Sequence, residues 1–157
     1  MSVNPRIISS SDVPTIPENF LVENGQSWSV GQLVYLNGSG HLATCASDGV
    51  LIRYLALEAQ ADPANATTEA KVVRLTRNML LEMSVTTGAV TTANKGLQYS
   101  LDVTSNVCTV DTGDTGYPVF EVEELGYERN PSEFASTDDP GVVWVRLLTT
   151  VLEATPA

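Results

Sequence analysis

The residues able to do acid, base or metal chemistry are few and scattered. The chain has one histidine, His41, and two cysteines, Cys45 and Cys108. Imidazole and thiolate are zinc ligands, and His41 and Cys45 are close in sequence, but a zinc site needs four ligands and only Cys108 remains. We therefore expect no metal site, with His41 an exposed turn residue rather than a general base. We expect both cysteines to be small buried hydrophobes.

Carboxylates are more numerous and fall into two groups. The loop Asp111-Thr-Gly-Asp114-Thr-Gly is rich in oxygen ligands, but it lacks the alternate spacing and terminal Glu of an EF-hand loop. We expect a solvated turn there and leave cation binding open. A second group, which suggests the paired acids of a glycosidase, comprises Glu121, Glu123, Glu124 and Glu128. Strand alternation places Glu121 and Glu123 on one face, so we expect a charged outer surface.

Known catalytic motifs are missing from the sequence. It contains no Gly-x-Ser-x-Gly elbow, no His-Glu-x-x-His pair and no phosphate-binding glycine loop. We therefore predict a protein that is not an enzyme and uses no cofactor. A hydrolase that uses Glu121 to Glu128 stays as an alternative.

Charge and hydropathy limit the classes of partner. The 157-residue chain has a formal net charge of −11, which repels nucleic acid and anionic membrane surfaces. No apolar run approaches the ~20 residues that span a bilayer. The segment 1–20 has no apolar signal-peptide core, so we expect synthesis in the cytosol.

The sequence pattern predicts that the elements which position these residues are β-strands. Branched apolar residues alternate with polar ones and are interrupted by turn residues, which indicates an all-β antiparallel sandwich or barrel, with a jelly roll possible. Asn37-Gly38 predicts a type I′ hairpin. The predicted strands are 28–36, 41–45, 50–58, 71–77, 79–87, 97–103, 107–111, 117–125 and 142–152, and the main loops are 61–70, 88–96 and 130–141.

We divide the chain into an extended arm, 1–19, and one β-rich domain, 20–157. Prolines at 5, 14 and 17 disfavour a helix or a central strand in the arm. A frayed terminus is one interpretation; the other is an arm that lies on a neighbouring subunit. The second predicts apolar anchors and one arginine for an acidic partner patch: Arg6, Ile7, Ile8, Val13 and Ile16.

Four larger side chains of the β domain are further interface candidates. Arg74 and Arg77 lie where positive charge is scarce, so they suit either an acidic partner or an edge strand protected by charge. Trp28 and Trp144 are expected in the core, with a role as interface hot spots as the alternative.

The order of these features resembles the small capsid decoration, or cement, proteins of tailed bacteriophages. The pieces that carry the resemblance are Trp28-Ser-Val-Gly-Gln-Leu-Val-Tyr35, His41-Leu-Ala-Thr-Cys45 with Asp48-Gly49, and Val72-Val-Arg-Leu-Thr76. The most specific is Lys95-Gly-Leu-Gln-Tyr-Ser-Leu101 with Val107-Cys-Thr-Val-Asp111, which is similar to a "G-x-x-Y-x-L … x-T-V-D" hairpin, followed by Phe120-x-Val122. The likeness covers about residues 20–151; the 61–70 segment and the long arm depart from it.

The resemblance implies a virion protein on the outer surface of an icosahedral head. It would bind the major capsid protein as a homotrimer and stabilise contacts between capsid subunits, after synthesis in the bacterial cytoplasm. A different virion surface module, such as a tail, fibre or carbohydrate-binding domain, is the alternative.

Overall fold

The computed structural model describes residues 5–10, 16–61 and 68–148. Its strands, in chain order, are β1 (Arg6–Ser10), β2 (Pro17–Leu21), β3 (Ser27–Trp28), β4 (Leu33–Leu36), β5 (Leu42–Thr44), β6 (Tyr54–Ala56), β7 (Gln60–Ala61), β8 (Glu69–Arg74), β9 (Met79–Ser84), β10 (Gln98–Thr104), β11 (Val107–Asp111), β12 (Phe120–Leu125) and β13 (Val142–Leu147). The described helices are a 3-10 turn, Thr92–Asn94, and one short α-helix, α1 (Gly126–Arg129).

The strands form two antiparallel sheets that pack as a compact sandwich, which confirms the predicted all-β fold. The six-stranded sheet has the order β1-β9-β13-β12-β10-β11, and the five-stranded sheet has the order β2-β8-β6-β4-β5. β3 and β7 pair separately as a small ribbon. A single bridge between Val85 and Val110 brings the end of β9 against β11, so the larger sheet curls on itself.

The five-stranded sheet carries buried apolar residues on both faces. Val73 of β8 points into the main core between the sheets, and its neighbour Val72 points into a second, smaller core with Trp28. Leu33 and Val34 of β4 divide in the same way. This explains why apolar residues occur in adjacent pairs here, whereas a sheet with one wet face shows strict alternation.

Several predicted strands are shorter than the pattern suggested. The segment 28–36 is broken into β3 and β4 near Gly31, whose φ of 91° is open mainly to glycine. The predicted strand 50–58 is reduced to β6, and 117–125 begins at Phe120. The predicted strand 142–152 is β13 as far as Leu147, and residues 149–157 lie outside the described part.

The predicted type I′ turn at Asn37-Gly38 is wrong. In that loop only Gly40 has a positive φ, and the Asn37 side chain instead accepts hydrogen bonds from the backbone N–H groups of Ser39 and His41. A left-handed pair occurs at Ser105 and Asn106, with φ values of 50° and 62°, between the paired ends of β10 and β11. Asn can satisfy its turn through the side chain, so the dipeptide signal alone did not fix the turn type.

The arm predicted for residues 1–19 contributes two edge strands. β1 lies at the edge of the larger sheet on β9, and β2 lies at the edge of the smaller sheet on β8. The boundary at Asn19 therefore falls inside β2. Residues 1–4 and 11–15, among them Val13, lie outside the described residues.

Candidate functional site

A buried carboxylate marks the outer face of the six-stranded sheet. Leu81 and Met83 of β9 point into the core, so Glu82 between them points outward, yet its side chain is only 1% exposed. Arg6 of β1, its cross-strand partner, donates from Nε to Glu82 Oε1 at 2.6 Å and forms an ion pair with it through Nη2. The arm is thus joined to the domain through a charge that water does not reach.

The surrounding side chains fix the orientation of this carboxylate. Trp144, which pairs with Glu82 across β13 and β9, donates its indole N–H to Glu82 Oε2 at 2.9 Å. Glu133 lies 3.4 Å from Arg6 Nη2 and accepts from the Asn130 amide at 2.7 Å. We call Glu82, Glu133, Trp144 and Asn130 the Arg6 socket.

Helix α1 packs against Trp144 of the Arg6 socket through its last residue. The guanidinium of Arg129, at its end, lies 5.7 Å from the centre of the Trp144 ring. Trp144 is half-buried on the outer face, so the prediction that it belongs to the core is wrong. Trp28 is 3% exposed in the smaller core, as predicted, and its indole donates to the Glu58 carbonyl.

The remaining arm candidates divide between core and surface. Ile7 packs against the main core, and Ile8 lies at a register irregularity of the β1–β9 pair, half-buried. Ile16 is 66% exposed just before β2. Of the apolar arm candidates that the structure describes, Ile16 is thus the one whose side chain is mostly exposed and open to a partner.

Arg74 and Arg77 do not share a strand. Arg74 ends β8, a strand covered on both edges, where it contacts Glu18 at 3.3 Å and stacks on the Tyr54 ring. The Glu18 hydrogen bond raises the pKa of Arg74. Arg77 lies in the turn before β9 and is exposed. It lines a polar depression with Glu121, Glu123 and Arg146.

The glutamates proposed as paired acids are each held by a basic side chain or lie beside one. Lys95 contacts Glu128 at 3.0 Å and Glu124 at 3.5 Å, and the Glu128 hydrogen bond raises the pKa of Lys95. Arg146 contacts Glu123 at 3.5 Å. The predicted even alternation is interrupted by a register irregularity between Val122 and Glu124.

His41 is only 23% exposed, so the expectation of an open turn residue is wrong. Its Nδ1 lies 3.2 Å from Glu23 Oε2, which also accepts from the Asn37 amide. Hydrogen bonds from Asn37, then from His41, lower the pKa of Glu23. These contacts tie the β4–β5 turn to the segment that follows β2.

The acidic loop consists of two turns, in each of which an aspartate side chain accepts a hydrogen bond from a backbone N–H two residues further on. Asp111 accepts from the Gly113 N–H at 3.0 Å, and Asp114 accepts from the Gly116 N–H at 2.7 Å. The second bond lowers the pKa of Asp114, while a hydrogen bond shared with Asp114 raises the pKa of Asp48. Across residues 5–10, 16–61 and 68–148, no three His, Cys, Asp or Glu side chains are grouped so that they could hold a metal ion.

Both cysteines are free and buried, as predicted. Burial raises the pKa of Cys45 well above its usual range and that of Cys108 to about 11, which disfavours the reactive thiolate. Gln32, 2% exposed between the sheets, donates to Cys108 Sγ at 3.3 Å.

Sequence reasoning missed the Arg6 socket. The one signal was a lone glutamate in the apolar segment Met-Leu-Leu-Glu-Met-Ser, which reads as a solvated outer residue. The side chains that hold Glu82, Arg6 of β1 and Trp144 of β13, come from distant parts of the chain.

Comparisons with known proteins add no assignment. The chain matches no protein-family model, no curated protein and no solved structure. Among the described residues, no helix is long and apolar enough to cross a membrane.

Proposed function

We propose that this chain is a structural virion protein that binds the outer surface of a tailed-phage icosahedral capsid. It acts as a trimer, contacts the major capsid protein, and stabilises the contacts between capsid subunits. Its work is binding, with no bond made or broken.

The observation that carries the proposal is the β10–β11 hairpin. It contains the segment most similar to capsid decoration proteins, and the register runs without a break from the Ser100–Asp111 pair to the Thr104–Val107 pair. Tyr99, Leu101 and Val110 lie in the main core. The likeness therefore falls on residues that determine the fold.

A candidate contact surface lies at the start of β2. Pro17 pairs with Val73, so the exposed Ile16 continues the register toward Arg74, and Arg77 follows in the next turn. In a chain with a net charge of −11, an exposed isoleucine beside the strand that ends at Arg74, with the exposed Arg77 three residues further along the chain, suits an apolar patch with an acidic rim on the capsid.

Shell stabilisation follows from mass action. A protein that binds only the closed lattice lowers the free energy of that state, and three linked copies bind more tightly than one because the second and third contacts are intramolecular.

The test is co-sedimentation of the full chain with a panel of tailed-phage heads lacking their decoration protein. We expect binding to at least one head type, with heads that still carry their own decoration protein as the control. Deleting residues 1–19 would remove β1 and cut β2 after its third residue, so point variants are needed. Ile16→Asp and Arg77→Glu should weaken binding, while Leu97→Asp, at another exposed apolar residue, should not. Failure to bind any head would overturn the proposal.

A further inference from the structure

The chain contains two Asn-Gly pairs, Asn24-Gly25 and Asn37-Gly38. An asparagine that precedes glycine is prone to deamidation, because glycine has no Cβ to hinder the approach of its backbone nitrogen to the neighbouring side chain. The two pairs share the same intrinsic chemistry, so the fold decides how readily each of them reacts.

The reaction needs neither an enzyme nor an oxidant. The glycine nitrogen loses its proton to solvent and attacks Cγ of the preceding asparagine, which closes a five-membered succinimide. The Cγ–Nδ2 bond breaks and the amide nitrogen leaves as ammonia, after taking up a proton. Water then adds to one of the two imide carbonyls, and an imide C–N bond breaks to leave aspartate or isoaspartate. The asparagine side chain must therefore be able to turn toward the next backbone nitrogen.

Asn37 is held away from this geometry by its hydrogen bonds. Its Oδ1 accepts from the backbone N–H groups of Ser39, at 2.9 Å, and His41, at 3.0 Å, while its Nδ2 donates to Glu23 Oε2. Closure of the succinimide requires the side chain to leave all of these partners. Each bond that must break raises the barrier, so together they should slow the reaction by about tenfold or more.

Asn24 lacks these restraints. It lies with Gly25 in an exposed turn between β2 and β3, where Gly25 has a φ of 77°. The backbone N–H of Asn24 donates to Glu23 Oε1 at 3.3 Å. Within the described part of the chain, no hydrogen bond holds the Asn24 side-chain amide or the Gly25 N–H. Both reacting groups therefore belong to exposed residues that can move relative to each other.

We propose that Asn24 is a site of spontaneous covalent modification, which converts to aspartate and isoaspartate in the folded protein while Asn37 is protected by its contacts. The product carries one more negative charge than the original chain, whose net charge is −11. The new carboxylate lies next to Glu23, which holds Asn37 and His41. This inference does not depend on capsid binding.

Peptide mapping of the full chain tests the proposal. The protein is incubated at mildly alkaline pH in water enriched in heavy oxygen, which marks every deamidation that occurs during the incubation. Chymotryptic cleavage after Trp28 and Tyr35 separates the two asparagines, and mass spectrometry then gives the rate at each site. We expect Asn24 to convert about tenfold faster than Asn37 or more. In guanidinium chloride, which removes the hydrogen bonds, the two rates should become similar.

Matched variants assign the product. Ion-exchange chromatography of the aged protein should show an early acidic form that disappears in Asn24→Gln, because glutamine would have to close a larger ring. The same form should persist in Asn37→Gln. Equal rates at the two sites in the folded chain, or faster conversion of Asn37, would overturn the inference. A rate difference that survives unfolding would also refute it, since the cause would then be the flanking sequence and not the fold.

Discussion

Arg6 and Glu82, 76 residues apart in sequence, form an ion pair in which the arginine is half exposed and the glutamate is buried. The pair joins β1, the edge strand of the larger sheet, to its neighbour β9. Trp144 also donates a hydrogen bond to Glu82, but the indole carries no charge. The buried carboxylate therefore depends on Arg6 for its countercharge.

Removing Arg6 should cost more than removing the charge of Glu82. Arg6→Ala leaves a buried carboxylate without its countercharge, so we expect a loss of about 2–4 kcal/mol, at or below the usual range for a buried pair because Arg6 is half exposed. Glu82→Gln keeps an acceptor for Trp144 and leaves Arg6 free to be hydrated, so we expect it to lower the free energy of unfolding by only about 1 kcal/mol. Urea unfolding of both variants measures the difference.

The matched control is Arg74→Ala. Arg74 is 60% exposed and pairs with Glu18, itself 35% exposed, so its loss should cost about 0–1 kcal/mol. Equal losses for Arg6→Ala and Arg74→Ala would show that the burial of Glu82 has no energetic consequence.

Asp48 should make stability depend on pH in the opposite sense to a salt-bridged acid. The hydrogen bond with Asp114 raises the Asp48 pKa in the fold, so the folded state binds the proton more tightly than the unfolded state does. Stability at this site is therefore lost as pH rises through the raised pKa. Asp48→Asn removes the repulsion and, at a φ of 59°, keeps a residue tolerant of that conformation.

We expect Asp48→Asn to raise the melting temperature at pH 7 and to lose this advantage near pH 3, where the Asp48 carboxyl is protonated. Thermal scans at both pH values provide the measurement. A gain of the same size at both would mean that charge repulsion is not the cause.

Gly141 should tolerate no side chain. A Cβ there would lie 2.9 Å from both the backbone nitrogen and Cγ2 of Val90, so Gly141→Ala must displace a packed segment. We expect a loss of about 1–3 kcal/mol by chemical denaturation. Gly113→Ala is the control: its Cβ would meet only Asp111 Oδ1, at 3.3 Å, and should change stability by less than about 0.5 kcal/mol.

The β10–β11 turn offers a stabilising change. Ser105 and Asn106 both have positive φ, the geometry that Asn-Gly adopts most readily. Ser105→Asn with Asn106→Gly should add about 1 kcal/mol to the free energy of unfolding. Asn106→Ala should lower the free energy of unfolding, since alanine has neither the side-chain amide of asparagine nor the freedom of glycine at positive φ. A gain in stability from Asn106→Ala would contradict the turn assignment.

The sequence predicted what short-range pattern determines. The all-β class, the β10–β11 hairpin and the burial of Cys45 and Cys108 follow from alternation and residue type. The length of β4 and the turn at Asn37 did not follow, because Gly31 and the Asn37 side chain act through local geometry that composition does not reveal. The Arg6 socket was out of reach, since the burial of Glu82 depends on side chains far along the chain.

The most direct test of the proposed function is the temperature at which undecorated heads release packaged DNA, measured with increasing amounts of the full chain. We predict that the release temperature rises as sites fill, and that it saturates at a bound number divisible by three. Heads that bind the chain yet open at an unchanged temperature would contradict the claim that it stabilises the shell.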